Sequence, residues 1–229
     1  MHSEHHLRSS DTIRDIVIGM SDGLTVPFAL AAGLSGAVNS SSIVITAGIA
    51  EIVAGSIAMG LGGFLAGRTE ADHYASELQR EYDEVERVPE QEKAEVKEVF
   101  ANFGLSAQLQ QQVADEMAKD TDKWVDFMMR YELGLEKPEA NRASQSAITI
   151  GFSYIIGGII PLSPDFFISE SSIALYYSCA VTLICLFVFG YFKSKVTGQS
   201  PFSGALKVVI IGALAAAAAF AVAKFINGK

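Results

Sequence analysis

GLGGFLAGRTEADHYASELQREYDEVERVPE, Gly60–Glu90, passes from an apolar, glycine-rich run into an acidic one, and Pro89 is the first residue after Arg68 that stops a helix. A single helix is therefore expected to leave an apolar phase and continue straight into water. The acidic end is dense: EYDEVERVPEQEKAEV, Glu81–Val96, carries seven acidic side chains in 16 residues. The rest of the 229-residue chain is largely apolar, and half of all residues are hydrophobic. The net charge of −9 sits in one block, because from Arg68 to Arg142 ten Lys/Arg stand against 19 Asp/Glu, while elsewhere seven stand against seven. Such acidity excludes nucleic acid, which needs a basic stripe, and makes cations the candidate partners.

Around that block the apolar residues cluster into five stretches, approximately 13–38, 43–67, 143–162, 173–192 and 203–225. About 20 residues span a hydrocarbon core of roughly 30 Å, so each is long enough to cross a bilayer. The last three carry no acidic residue, and Lys193, Lys207 and Lys224 lie near ends where long side chains reach the interface. The expected fold is an all-α membrane protein with five transmembrane helices and a helical domain between the second and third. Three regions follow: 1–67, with a tail and two spans; 68–142, the acidic domain; and 143–229, with three spans. The connections SGAVNSSS and SPDFFISESS lack Lys and Arg, whereas Arg8, Arg14, Lys193 and Lys195 mark the other side. The positive-inside rule then places the N-terminus and the acidic domain in the cytosol and the C-terminus on the far side. Asn39-Ser40-Ser41 has the form of a glycosylation acceptor and reads as a turn. MHSEHHLRSS is too polar for a cleaved signal peptide. His2, His5 and His6 read as a tail rather than a metal site, and Cys179 and Cys185 as packing residues.

Small residues crowd AAGLSGA and GSIAMGLGGFLAG, where Gly63 and Gly67 give a G-x-x-x-G spacing suited to close helix approach, within one subunit or across a dimer. In the acidic block, Pro89 suits the first turn of a new helix, Gly104 and Gly134 suit helix ends, Ser106 can cap a third helix and Thr121 can start a fourth. Val96, Val99, Phe100, Phe103, Val113, Trp124, Val125 and Phe127 are its candidate core.

Two carboxylate pairs stand out, Glu81 with Glu84 and Glu92 with Glu95, each at a three-residue spacing that projects from one helix face. Met128 and Met129 lie four and three residues before Glu132, so an α-helix would turn thioethers and a carboxylate to one side. Oxygen donors suit hard divalent ions, and a thioether adds the softness that favours ions such as Fe2+. Spacing alone leaves a solvated acidic face, with Glu and Lys at i, i+4 for helix support, as an open alternative, although the surplus of nine acids is not balanced as such lacing would need. Core filler is the alternative for the methionines. Within the spans, Asp22 and Glu51 are costly by roughly 2.5 to 3.5 kcal/mol each even on the gentler scales, which marks them as functional. Met59 lies at a depth similar to that of Asp22 on the returning helix, so the three read as a ladder of ligands. Pro27 leaves the Gly23 carbonyl without its helical donor, beside Asp22.

SDGLTVPFALAAGLSG, Ser21–Gly36, followed by EIVAGSIAMGLGGFLA and the acidic helices, resembles the vacuolar iron transporter family, particularly its plant members. The resemblance implies five membrane helices, a homodimer in the vacuolar membrane, and Fe2+ moved from cytosol to vacuole in exchange for protons. It implies an antiporter rather than an enzyme, with manganese and zinc as further candidate ions and with fungal relatives that affect calcium. It also implies a cytosolic metal-binding domain using Glu81, Glu84, Glu92, Glu95, Met128, Met129 and Glu132, and a membrane pathway using Asp22, Glu51 and Met59. Two other classes fit parts of the pattern. A di-iron carboxylate oxidase would need two Glu-x-x-His motifs, and only Glu70 to His73 fits. A metal-sensing membrane scaffold would not need ionisable residues inside the spans.

Overall fold

The computed structural model describes residues 9 to 226; the N-terminal histidines lie outside them. Among the described residues every regular element is helical: α1 (Ser9–Ala37), α2 (Ser41–Arg87), α3 (Pro89–Asn102), α4 (Ala107–Met117), α5 (Thr121–Phe127), α6 (Arg142–Leu162), α7 (Ser171–Val196) and α8 (Pro201–Ile226). A π-helical turn, Met128–Glu132, extends α5, and a 3-10 turn, Ser163–Phe166, extends α6. Among the described residues five helices, α1, α2, α6, α7 and α8, are long and apolar enough to cross a membrane. The chain divides into two compact units, one built from residues up to 64 and from 143 onward, the other from Leu65–Arg142. The boundary falls inside α2, which runs 47 residues, about 70 Å at the usual rise, through the stretch where no breaker was found.

In the first unit, α1 packs on α7 and α8 through Phe28, Ala32 and Ala216, with Leu175, Cys179, Leu183 and Phe220 around them. Helix α6 is held to α1 and α2 by glycines. A Cβ placed on Gly23 would come within 2.3 Å of the Tyr154 carbonyl oxygen, and one on Gly157 within 2.9 Å of the Leu24 nitrogen, so α1 and α6 meet backbone to backbone. On the α2 side, Gly55 faces the Tyr154 ring and Gly63 faces Ile150 and Ser146. Gly48, Gly55, Gly60 and Gly63 of the second span therefore pack on α6 of the same chain. Hydroxyl groups close the polar ends, as Ser171 Oγ donates to the Val38 carbonyl at 2.5 Å and Ser178 Oγ to the Pro161 carbonyl at 2.6 Å. Helix α1 continues through Pro27, whose ring packs against Gly158. Ile57, Phe152, Ile184 and Leu214 are exposed, as expected of surfaces facing lipid rather than water.

The second unit is a small bundle formed by the end of α2 with α3, α4 and α5. Its core joins Val85, Val96, Ala114, Trp124, Val125, Met128 and Met129. Of the expected core positions, Val96, Trp124 and Val125 are fully buried, and Val99, Phe100, Val113 and Phe127 are half-buried. Phe103 is 67% exposed, because it lies just beyond the end of α3, its ring tilted at 47° to that of Phe100 with centroids 6.3 Å apart. Pro89 opens α3, and Gly104 and Gly134 take φ of +83° and +64°, the left-handed conformation that costs other residues a clash. Ser106 precedes α4 without a side-chain cap bond, whereas Asp120 caps α5 by accepting the Lys123 backbone N–H at 3.2 Å.

A methyl group at Gly23 has only backbone to push against, so Gly23→Ala is expected to destabilise the first unit by about 1–3 kcal/mol or more. Gly62 has nothing within 4 Å of its Cβ position, and Gly62→Ala is expected to be neutral or to stabilise by up to about 1 kcal/mol. Thermal unfolding of both variants in detergent checks the contrast.

Candidate metal centre

Glu81 and Glu84 lie one turn apart near the end of α2; Val88 alone separates α2 from α3, and Glu92 enters in the first turn of α3. The reversal brings one carboxylate oxygen each from Glu81, Glu84 and Glu92 within 4.8 Å of one another. Glu81 is 1% exposed and Glu92 2%, and an Oε2 atom of each is buried without a hydrogen-bond donor. Buried carboxylate oxygens without donors are costly, and a divalent cation satisfies several at once.

One cation of the chain reaches this cluster from its edge. Arg80 lies 2.7 Å from Glu77, 3.8 Å from Glu81 and 3.6 Å from Glu84, with its side chain half exposed. Arg80 and Glu77 went unremarked in the sequence because their i, i+3 and i, i+4 spacings are those of any surface lacing. The lysines of α3 turn elsewhere: Lys93 pairs with Asp115 at 3.2 Å and Glu90 at 3.5 Å, and Lys97 donates to Gln111 at 3.2 Å. Lys93 thus laces Glu90 of its own helix and Asp115 of α4 rather than the carboxylates of this cluster. Glu86 and Glu90 are ordinary exposed charges.

Desolvation pushes the Glu81 carboxyl up to about 7, reinforced by the negative charges of Glu132, Glu84 and Glu95 and partly offset by Arg80. Desolvation likewise pushes Glu92 up to about 7, with Glu95, Glu81, Glu84 and Glu132 adding to it. Partial loss of water, then Glu95 and Glu84, raise Glu132 as well. Five carboxylates therefore share one field, and the inner pair titrates near neutrality rather than in the usual carboxylate range. Glu95, half-buried, accepts a bond from the Gln91 side chain at 3.3 Å. With Glu132, Glu98, Asn102 and Tyr131 it lines an adjoining cleft.

Met128 and Met129 are fully buried in the hydrophobic core, among residues that include Val85 and Val96, the neighbours of Glu84 and Glu95 in sequence. The α-helical register that would turn both thioethers to the side of Glu132 is not the one adopted. The Leu133 N–H reaches back to the Met128 carbonyl at 3.1 Å in a π turn, and Glu132 stands exposed. Such turns recur at functional sites.

In the first unit, Glu51 of α2 accepts a hydrogen bond from the Tyr154 hydroxyl of α6, and its other oxygen is buried without a donor. Asp22 and Met59 are half-buried, each next to a glycine, Gly23 or Gly60, that packs on α6. Among the described residues, Asp22 and Glu51 do not join a three-ligand group like that of Glu81, Glu84 and Glu92. Two further acids are buried: Asp15, 2% exposed, and Asp165, 4% exposed. Asp15 was legible as another acid in the first span, two turns before Asp22. Neither Asp165, in a polar connection, nor Tyr154, in an apolar run, carried a signal.

The model of the VIT family matches residues 13–224. Vacuolar iron transporter 1 of Tulipa gesneriana is 53% identical over 226 residues, covering 99% of this chain and 92% of that protein. Vacuolar iron transporter 1 of Arabidopsis thaliana is 53% identical over 226 residues, covering 99% and 90%. The vacuolar iron transporter cccA of Arthroderma benhamiae is 38% identical over 223 residues, covering 94% and 80%.

Two consequences for pH follow from the carboxyls raised to about 7. Metal entry must displace protons from Glu81 and Glu92, so Mn2+ affinity is expected to fall below about pH 7, by up to about 100-fold per pH unit for two protons. Calorimetry in buffers of different ionisation heat should show net proton release near pH 6. Without metal, the folded unit holds protons that the unfolded chain, with carboxyls near 4.5, has lost. The contribution of these two carboxyls to stability is therefore full below about pH 4.5 and is lost as pH rises to about 7, which chemical denaturation of the metal-free protein and of its Glu81→Gln, Glu92→Gln variant checks by difference.

Proposed function

The chain belongs to the VIT family, and we propose on that footing that it transports Fe2+ from the cytosol into the vacuole across the vacuolar membrane, in exchange for protons. One observation carries the capture step: three carboxylates, two of them nearly fully buried with an unpartnered oxygen, meet at the end of α2. In this reading residues 68–142 form a cytosolic domain that captures the ion with Glu81, Glu84 and Glu92. Glu95 and Glu132 draw the ion in from the adjoining cleft, and Met128 and Met129 offer soft donors from the core beneath. Seven carboxylates in 16 residues raise the local cation concentration whether or not all of them ligate.

The membrane step uses Asp22, Glu51 and Met59. Moving a divalent ion against a lumen-positive potential costs about 2.3 kcal/mol per charge per 100 mV. A proton leaving an acidic lumen returns about 1.4 kcal/mol per pH unit. An ionised Asp22 or Glu51 binds the cation, and protonation from the lumen releases it; the carboxylates inside the spans support this over a sensor scaffold, which has no use for them. Mn2+ and Zn2+ fit the same oxygen donors and are further candidate cargo. The lysines and arginines of the connections support a cytosolic N-terminus, and the family resemblance supports a homodimer.

In proteoliposomes, Asp22→Asn is expected to abolish metal-dependent proton flux, and flux equal to that of the unaltered chain would remove Asp22 from the pathway. Replacing Glu81, Glu84, Glu92 and Glu95 together by Ala is expected to weaken Fe2+ binding about 100-fold by calorimetry, with uptake slowed but measurable.

A further inference from the structure

We propose that Tyr154 is a positioning residue for the membrane step, holding Glu51 by one carboxylate oxygen so that the other is presented to the cargo or its exchanging proton. The proposal rests on the pathway role of Glu51 given above.

The observations concern a tyrosine that the sequence left unremarked. Tyr154 is 2% exposed, and its hydroxyl donates to Glu51 Oε1 across 103 positions of sequence. Its ring lies close against α2: the Cβ position of Gly55, one turn after Glu51, is 2.5 Å from both Cζ and the hydroxyl oxygen. Its backbone lies close against α1: the Cβ position of Gly23, the residue after Asp22, is 2.3 Å from its carbonyl oxygen and 2.9 Å from its Cα. Two glycines on two helices, one the residue after Asp22 and one a turn after Glu51, thus pack against one tyrosine. Glu51 Oε2 is buried with no donor, so it is the oxygen left to bind a proton or a metal. A carboxylate with three side-chain torsions loses its aim easily inside a span. Fixing one oxygen to a buried, closely packed ring restores it, as hydrogen bonds behind metal ligands commonly do.

The test is a double-mutant cycle on the full chain in proteoliposomes, reading initial Fe2+ uptake and Fe2+-dependent proton flux. Tyr154→Phe is expected to lower kcat about 10-fold with a smaller change in KM. Glu51→Gln is expected to lower uptake further, and Tyr154→Phe added to Glu51→Gln is expected to change it by less than twofold. A Tyr154→Phe rate within twofold of the unaltered chain, or effects that multiply in the double variant, would overturn the proposal while leaving Glu51 on the pathway. A Glu51→Gln variant with unaltered uptake would instead remove Glu51 from the pathway, and the proposal with it. Should Tyr154→Phe fail to assemble, 3-fluorotyrosine at position 154 keeps the ring and alters the acidity of the phenol. A rate change that disappears in the Glu51→Gln background supports positioning; no change, or an equal change in both backgrounds, overturns it.

Discussion

Withdrawing a carboxylate from water leaves it three ways to be satisfied, by a donor, a proton or a cation, and both units of this chain are arranged around that choice. In the second unit, Glu81 and Glu92 are buried beside Glu84, with Arg80 as a partial counter-charge at the edge. Neither buried residue is fully served by donors, and both are pushed toward the protonated form near neutrality. A bundle with so small an apolar core gives up stability to hold such a cluster together, a cost expected of a site rather than of a scaffold.

The first unit meets the same constraint with a donor. Glu51 takes the Tyr154 hydroxyl, and the glycines that let α6 approach α1 and α2 are the ones that seat that tyrosine. Helix packing and the chemistry of the span are therefore not separable here. Where larger residues would push the helices apart, Gly23, Gly55 and Gly157 bring polar groups into contact that could not otherwise reach each other.

Much of this was legible in the residues. Five apolar stretches, the unbroken run from Gly60 to Val88, Pro89 at a helix start, and Gly104 and Gly134 at helix ends all follow from local chemistry, and each is found. The pairing of Glu81 with Glu84 and of Glu92 with Glu95 follows from a three-residue period. Ser106 shows the limit of such reading: it precedes its helix without capping it, since a side chain that can cap need not turn inward. Met128 and Met129 show another. An α-helical period would turn them toward Glu132, but burying both thioethers in the core goes with a π turn that the sequence does not announce.

What the sequence determined by itself is the order of helices, their lengths and the location of the charge, because hydrophobic period, breakers and composition act over a few residues at a time. What only the tertiary structure decided is which charges lose their water and which partners they meet. Spacing pairs Glu92 with Glu95, but it does not say that Glu92 is buried beside Glu81 while Glu90 pairs with Lys93 in solvent. Tyr154 looked like any aromatic in an apolar run until α6 set it against Gly55 and Glu51. Burial and contact between residues some 100 positions apart depend on how helices pack, and that information is distributed over the whole chain rather than written at any one position.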